Sequence, residues 1–468
     1  LDEKHCDGTA RWDDWGSIHP LTVIPTVEIT FRIYEVDSMP IQHSAIHSFE
    51  HRAIHRAVLS NGMTVVCIEN TAADIIAARI FIKAGSRYEP PHQAGLAHLL
   101  AAVITKGTDQ LSSQEIAERV ESVGASLGTD AAPDYNLLSL KTVSADFPEI
   151  LALASELVRS PVFPESEVDL ERRLTLQNIR SIQEQPFAIA QRQLRQVMYP
   201  NHPYGWPMLG SEESVSGLTR DDLHQYHQTY FRPDNMIVSV VGNISPEAAI
   251  ALVDQEFGDW KHPDASVPLP ALALPNLEPN PQAVITPQDT QQSIVMLGYL
   301  APSVHQPNYM TLKLLSTYLG NGLSSRLFVE LREKRGLAYE VSSFYPTRFD
   351  QSQFVVYMGT APDNIEIAID GLRREVDRLK ATPLTPDELQ TAKNKLLGQY
   401  ALGKQTNAQL AQIYGWYETL GLGIEFDVQF QSNIETVTIE AALQTAEQCF
   451  IEPYLSLVGA ADRVPIFS

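Results

Sequence analysis

Two groups of residues have the side-chain types and spacing to do chemistry. Four histidines, His43, His47, His51 and His55, recur at every fourth position. Imidazoles one helical turn apart share a face and can hold one metal ion. The run precedes the ordered motifs described below and reads as a solvated, tag-like segment rather than a metal site. The second group is Arg332 with Tyr339. Ser324 to Lys334 is predicted to be a helix, with Leu327, Phe328 and Leu331 on its apolar face and Ser324 as N-cap. Arg332, Lys334 and Arg335 fall in the last turn, and Gly336 is the expected stop. Leu337-Ala-Tyr339-Glu-Val341 then begins a strand, so Arg332 and Tyr339 flank a helix-to-strand turn and can point the same way. Both side chains can donate hydrogen bonds to a carbonyl oxygen that gains charge in a reaction.

The elements that must position such residues occur twice. Ile150 to Asn178 reads as an apolar-periodic helix, a Pro-bounded turn (Ser160-Pro-Val-Phe-Pro-Glu165) and a second helix from about Ser166. Ile365 to Tyr400 reads the same way, with the turn Ala381-Thr-Pro-Leu-Thr-Pro386 and a helix opening on Asp387-Glu388. Pro161 and Pro383 are matched landmarks, 383 − 161 = 222 positions apart. Proline ends the preceding helix, and acids at the start of the next suit its dipole. Each copy opens with strands: Met63–Ile68 and Ile75–Ile82, then Ala283–Thr286 and Ser293–Tyr299. Strands followed by helices, repeated, predict an α+β domain present twice. The Pro-rich stretch His262 to Gln282 is the linker candidate. The expected division is an N-terminal extension over 1–50, a first domain over 51–265, a linker over 266–282 and a second domain over 283–468. Within the extension, Val27–Ile33 alternates apolar and polar residues like a strand.

Composition excludes some classes. Lys plus Arg is 34 against 57 Asp plus Glu, a net charge of −23, which disfavours non-specific nucleic-acid binding. Three distant cysteines, Cys6, Cys67 and Cys449, form no CxxC pair, which suggests a reducing compartment. No apolar run approaches the roughly 18 residues of a membrane span and no basic-then-apolar signal opens the chain, so a cytoplasmic location is expected.

An ordered series of motifs then carries a resemblance. Leu59-Ser-Asn-Gly-Met-Thr-Val65, Ala84-Gly-Ser-Arg-Tyr-Glu89, Gly95-Leu-Ala-His98 and Lys106-Gly-Thr108 come first. His202-Pro-Tyr-Gly205, Tyr230-Phe-Arg-Pro-Asp-Asn-Met236, Leu319-Gly-Asn-Gly-Leu-Ser-Ser-Arg-Leu-Phe328 and Leu331-Arg-Glu-Lys-Arg-Gly-Leu-Ala-Tyr339 follow. From about Arg56 onward the chain resembles the pitrilysin (M16) zinc metallopeptidases. The resemblance implies two homologous α/β-sandwich domains forming half of a clam-shell chamber. Active members carry His-x-x-Glu-His on a helix, where two histidines bind zinc and the glutamate activates water. Here the motif reads His98-Leu-Leu-Ala101-Ala102, so Ala101 replaces the base and Ala102 a ligand. Asn178 stands at the position of the distal glutamate ligand, and the interval 178 − 102 = 76 keeps the family register. One histidine does not make the three-ligand set of a catalytic zinc site, and a methyl group moves no proton. No metal is expected in this chain, and His98 reads as an inherited helix residue hydrogen-bonded within its domain.

The same resemblance gives Arg332 and Tyr339 a role. In the family, an arginine and a tyrosine at this interval approach the zinc site of a facing half and stabilise the oxyanion there. A short Gly320-Asn-Gly322 stands where zinc-lacking processing-peptidase subunits carry a long Gly-rich loop, which points to the M16B type. The implied protein is a non-catalytic subunit, similar to processing-peptidase subunits, paired with a zinc-bearing partner. It would bind unfolded peptides or presequences against a sheet edge and be inactive alone. A structural scaffold or a peptide-binding homodimer is the alternative.

Overall fold

Runs of apolar residues along the strands set the architecture, and a computed structural model, which describes residues 53–261 and 268–460, shows what each face meets. The first half contains β1 (Ile54–Val58), β2 (Thr64–Glu69), β3 (Ile75–Ile82), α1 (Leu96–Val103), α2 (Ser113–Ser122), β4 (Ser126–Ala131) and β5 (Asn136–Val143). It continues with α3 (Phe147–Arg159), α4 (Glu165–Ile182), α5 (Pro186–Met198), α6 (Glu212–Gly217), α7 (Arg220–Tyr230), β6 (Met236–Gly242) and α8 (Pro246–Phe257). The second half contains β7 (Ala283–Pro287), β8 (Ser293–Ala301), α9 (Tyr309–Gly320), β9 (Ala338–Phe344), β10 (Ser352–Thr360), α10 (Ile365–Ala381) and α11 (Pro386–Leu402). It ends with α12 (Asn407–Thr419), α13 (Phe426–Thr436), α14 (Ile439–Cys449) and β11 (Tyr454–Gly459).

The two sheets have matching topology. Their orders are β1-β2-β6-β3-β5-β4 and β7-β11-β8-β10-β9. With β1 set aside, each has a parallel pair, β2/β6 and β7/β11, followed by antiparallel neighbours. The helices flanking Pro161 and Pro383 occupy equivalent places, α3 and α4 in one half and α10 and α11 in the other. Local signals fix their ends. Thr385 and Glu388 form a reciprocal capping box at the start of α11. The turn before α4 holds Phe163 at φ 45, a left-handed conformation unusual for a bulky residue. Its fully buried ring lies edge-on to His224 at 5.0 Å, and that packing holds the turn.

The central strands are apolar on both faces because both faces are covered. In β2, Val65 and Cys67 pack among the first half's own helices, whereas Val66 and Ile68 join the core of the second half. The second sheet behaves likewise: Val295 and Leu297 face its own helices, and Ile294 and Met296 meet Ile189, Leu194 and Met198 of α5. The halves therefore exchange helices. α12 lies across β3 and β6 of the first sheet, and α5 lies across β8 and β11 of the second. Two glycines permit the approach. A Cβ on Gly415 of α12 would stand 2.4 Å from Phe81 Cε2, and one on Gly298 of β8 would stand 2.5 Å from Met198 Sδ.

Two expectations need adjusting. The helix placed at Ser324 to Lys334 begins at Arg326, no side chain caps it, and Phe328–Glu333 is wound as a π turn. The wider turn leaves Leu327, Leu331 and Leu337 all in the core. His55 is exposed, as a solvated segment implies, but it lies in β1 opposite Cys67 and so belongs to the fold rather than to a tag-like segment. Residues 268–282 of the linker candidate carry neither helix nor strand. The extension over 1–50, with its strand at Val27–Ile33, lies outside the described residues.

Candidate functional site

α1 starts sharply because Glu89 caps it from a distance. Its carboxyl oxygens accept hydrogen bonds from the backbone N–H groups of Gly95 at 2.9 Å and Ala97 at 2.6 Å. Gly95 has φ 96, and a Cβ there would stand 2.6 Å from the Leu209 carbonyl oxygen. Glu89 is almost fully buried, and that burial pushes its carboxyl up to about 8, against the pull of the two N–H donors. Sequence reasoning missed this anchor, whose signal was an acid shortly ahead of a glycine-led helix.

α1 packs on α4 and on the edge strand β4, which brings His98, Ala101, Ala102 and Asn178 onto neighbouring helices. Ala101 is buried, its carbonyl accepts the Thr129 hydroxyl at 2.5 Å, and its methyl group lines a small apolar cavity with Ile82, Leu100 and Asp130. Ala102 is half-buried and Asn178 is exposed. The His98 ring is half-buried and has no hydrogen-bond partner among the described residues, contrary to expectation. Burial lowers its pKa, and the nearby charges of Asp130 and Glu171 oppose that shift. Asp130 is raised by its own burial.

Glu171 was missed as a neighbour of His98, although its place seven residues before Asn178, two turns along α4, put it on the same helical face. It is held by Lys106 at 3.0 Å. Among the described residues no three His, Cys, Asp or Glu side chains gather as a metal-ligand group. The residues present do not fit a catalytic zinc ion: of the three ligand positions His98 keeps a donor, Ala102 has none and Asn178 is an exposed amide, while Glu171 near His98 is paired with Lys106.

The reading of the histidine run left out Glu50. His47-Ser-Phe-Glu50-His51 has the spelling of the zinc motif. Counting 76 residues on from His51 reaches Leu127, which cannot ligate, and the run up to His51 lies outside the described residues.

Arg332 and Tyr339 both sit on backbone irregularities. Arg332 lies in the π turn, where the Lys334 N–H bonds the Val329 carbonyl five residues back at 3.0 Å. Gly336, at φ 62, stops the helix as expected, its N–H bonding the Arg332 carbonyl at 3.0 Å. In β9, Ala338 pairs with Thr360 and Glu340 with Gly359, so Tyr339 is the extra residue of a β-bulge. β9 is an edge strand. The Tyr339 side chain is 61 % exposed. Arg332 is exposed and lies over the Phe328 ring, 5.0 Å from its centroid. Neither side chain has an ion pair or hydrogen bond among the described residues.

Two halves of matched sheet topology, with His98 on a helix that packs against the helix of Asn178, define a two-domain fold built from one unit used twice. The family model Insulinase (Peptidase family M16) matches residues 64–212, and the model Peptidase M16 inactive domain matches residues 217–396. The chain belongs to peptidase family M16. It is 27% identical to an uncharacterized zinc protease of Bacillus subtilis over 88% of this chain and 100% of that one. It is 29% identical to another from Mycobacterium leprae over 88% of this chain and 92% of that one. The fold matches a peptidase M16 inactive domain from Pseudomonas fluorescens with a TM-score of 0.80 at 24% identity, covering 87% and 98% of the two chains. A Helicobacter pylori protease matches with a TM-score of 0.81 at 23% identity, covering 87% and 99%. Among the described residues no helix is long and apolar enough to cross a membrane.

Proposed function

We propose that this chain is a non-catalytic M16B-type subunit that completes the active site of a zinc-bearing partner. The observation that carries this reading is the state of Arg332 and Tyr339. Both are solvent-facing donors without partners among the described residues, one on a π turn and one on a bulge of an edge strand. Such irregularities cost regular hydrogen bonding and re-aim side chains. Within a chamber formed with the partner, the Arg332 guanidinium and the Tyr339 hydroxyl would donate to the carbonyl oxygen of the scissile peptide as it gains charge. Zinc and the general base would belong to the partner. Unfolded peptides or presequences would bind as an added strand on a sheet edge, for which β4, beside α1, is open. A pure scaffold has no chemical need of exposed Arg332 and Tyr339, which is why that alternative ranks second.

The test is co-purification from the source cell, followed by peptide cleavage with the reconstituted pair. Arg332→Ala or Tyr339→Phe should lower kcat by about 10²–10³ and leave assembly and the partner's zinc unchanged. A rise in KM with kcat unchanged would restrict the pair to substrate positioning. Cleavage equal to the parent's in both variants would overturn the reading in favour of a scaffold. The chain alone should neither cleave peptides nor hold zinc within its M16 domains. Metal analysis of a His47→Ala/His51→Ala variant isolates those domains from the histidine run.

A further inference from the structure

A small cavity of about 10 Å³ lies where the lent helix α5 reaches the second half. Arg195 of α5, Tyr199 just beyond it, Tyr204, Trp206, Arg348 and Gln353 are among the residues that line it. No carboxylate lines it. The nearby acids are engaged elsewhere: Asp350 pairs with Arg87 at 2.6 Å, and Asp134 accepts the Tyr204 hydroxyl. The guanidiniums of Arg195 and Arg348 have no ion pair or hydrogen bond among the described residues, and Arg348 lies over the Tyr204 ring at 5.5 Å. Arg195 Nε is sealed from solvent without a partner. So is the amide oxygen of Gln353, a residue only 6% exposed. Burial, then the charge of Arg348, lower the Arg195 pKa to about 10, and Arg192 adds to the effect.

A charge shut from solvent without a partner is strongly destabilising. Arg195 approaches that state, its Nε sealed, and the half-buried Arg348 lines the same space in a chain of net charge −23. Water in that space would leave the charge uncompensated. A carboxylate or phosphate is too large for so small a space, which suits a single monatomic ion or one water. We propose that the cavity is a monovalent-anion site whose occupant is chloride, held between Arg195 and Arg348. The ion would compensate both guanidiniums, and the Gln353 amide, turned to present its N–H groups, would add a donor. Because Arg195 belongs to the first half and Arg348 to the second, the ion ties α5 to the sheet it covers.

The test is thermal unfolding of the full chain in sodium chloride, sodium bromide and sodium gluconate at equal ionic strength. Chloride and bromide should raise Tm saturably over gluconate, by about 2 °C at ten times the dissociation constant. Arg348→Gln, checked for fold by circular dichroism, should abolish the difference. A crystal grown in bromide should show an anomalous peak between Arg195 and Arg348. Equal Tm in all three salts, or a halide shift that survives in Arg348→Gln, would overturn the proposal. Should Arg348→Gln fail to fold, the parent's salt comparison and the bromide peak decide alone, and no peak overturns it.

Discussion

Replacing Gly415 by alanine tests the helix exchange on which the whole fold depends. In an ordinary helix interior this change stabilises by about 1 kcal/mol, because alanine loses less backbone entropy. On α12 the new methyl carbon would stand 2.4 Å from Phe81 Cε2, 2.8 Å from Cδ2 and 3.1 Å from Ser239 Cβ. Phe81 is fully buried in β3 and edge-on to Tyr135 at 5.2 Å, so the ring has little room to retreat. Overpacking of this kind costs about 1–3 kcal/mol, leaving Gly415→Ala net destabilised by up to about 2 kcal/mol. Gly398 on α11 has nothing within 4 Å of its Cβ position, so Gly398→Ala should be stabilised by about 0.5–1 kcal/mol. Gly298→Ala is the intermediate case, since its nearest obstacle is the flexible end of Met198. Guanidinium unfolding midpoints, compared at constant m-value, read the differences. If Gly415→Ala stabilised the chain as much as Gly398→Ala, α12 would not pack on Phe81, and the exchange of helices would be wrong.

Glu89 and His227 set opposite pH dependences. Glu89 has its folded pKa raised to about 8 from 4.5, so its contribution is full below pH 4.5 and is lost as pH rises through 8. Stability measured between pH 5 and 9 should decline, and Glu89→Gln should flatten that decline while lowering stability overall, because its NH2 must face one of the two N–H donors. His227 has its folded pKa lowered to about 4 by burial, with its ring nitrogen 2.7 Å from the Val158 carbonyl. Its contribution is full above pH 6.5 and lost as pH falls through 4, so His227→Gln should remove part of the acid sensitivity seen in urea unfolding. Ala102→His with Asn178→Glu restores two ligand positions beside His98 and should create a zinc site measurable by isothermal titration. Zinc uptake equal to the parent's would show that α1 and α4 are not in family register. The first half expressed alone, without α12, should be molten by near-ultraviolet circular dichroism, since Val66, Ile68 and Phe81 lose their cover.

The order of motifs and the repeated pattern of helix, Pro-bounded turn and helix about Pro161 and Pro383 were legible in the sequence, because each is spelled by residues close together in the chain. Strand limits at Ile75–Ile82 and the helices around Pro161 and Pro383 follow from apolar periodicity and proline geometry, which act within a few residues. The stop at Gly336 was readable because a left-handed helix terminus favours glycine. What a side chain meets across the molecule is not a local property. Periodicity could not say that alternate residues of β2 serve two different halves, because an apolar face has the same pattern whatever covers it. The cap that Glu89 gives α1, the pairing of Glu171 with Lys106, the bulge at Tyr339 and the cavity that Arg195 and Arg348 both line arise by packing rather than by spacing. Sequence named the candidate site residues of the first half, His98, Ala101, Ala102 and Asn178. Tertiary structure decided which charged and donor groups were left without partners, because that depends on every element that folds against them.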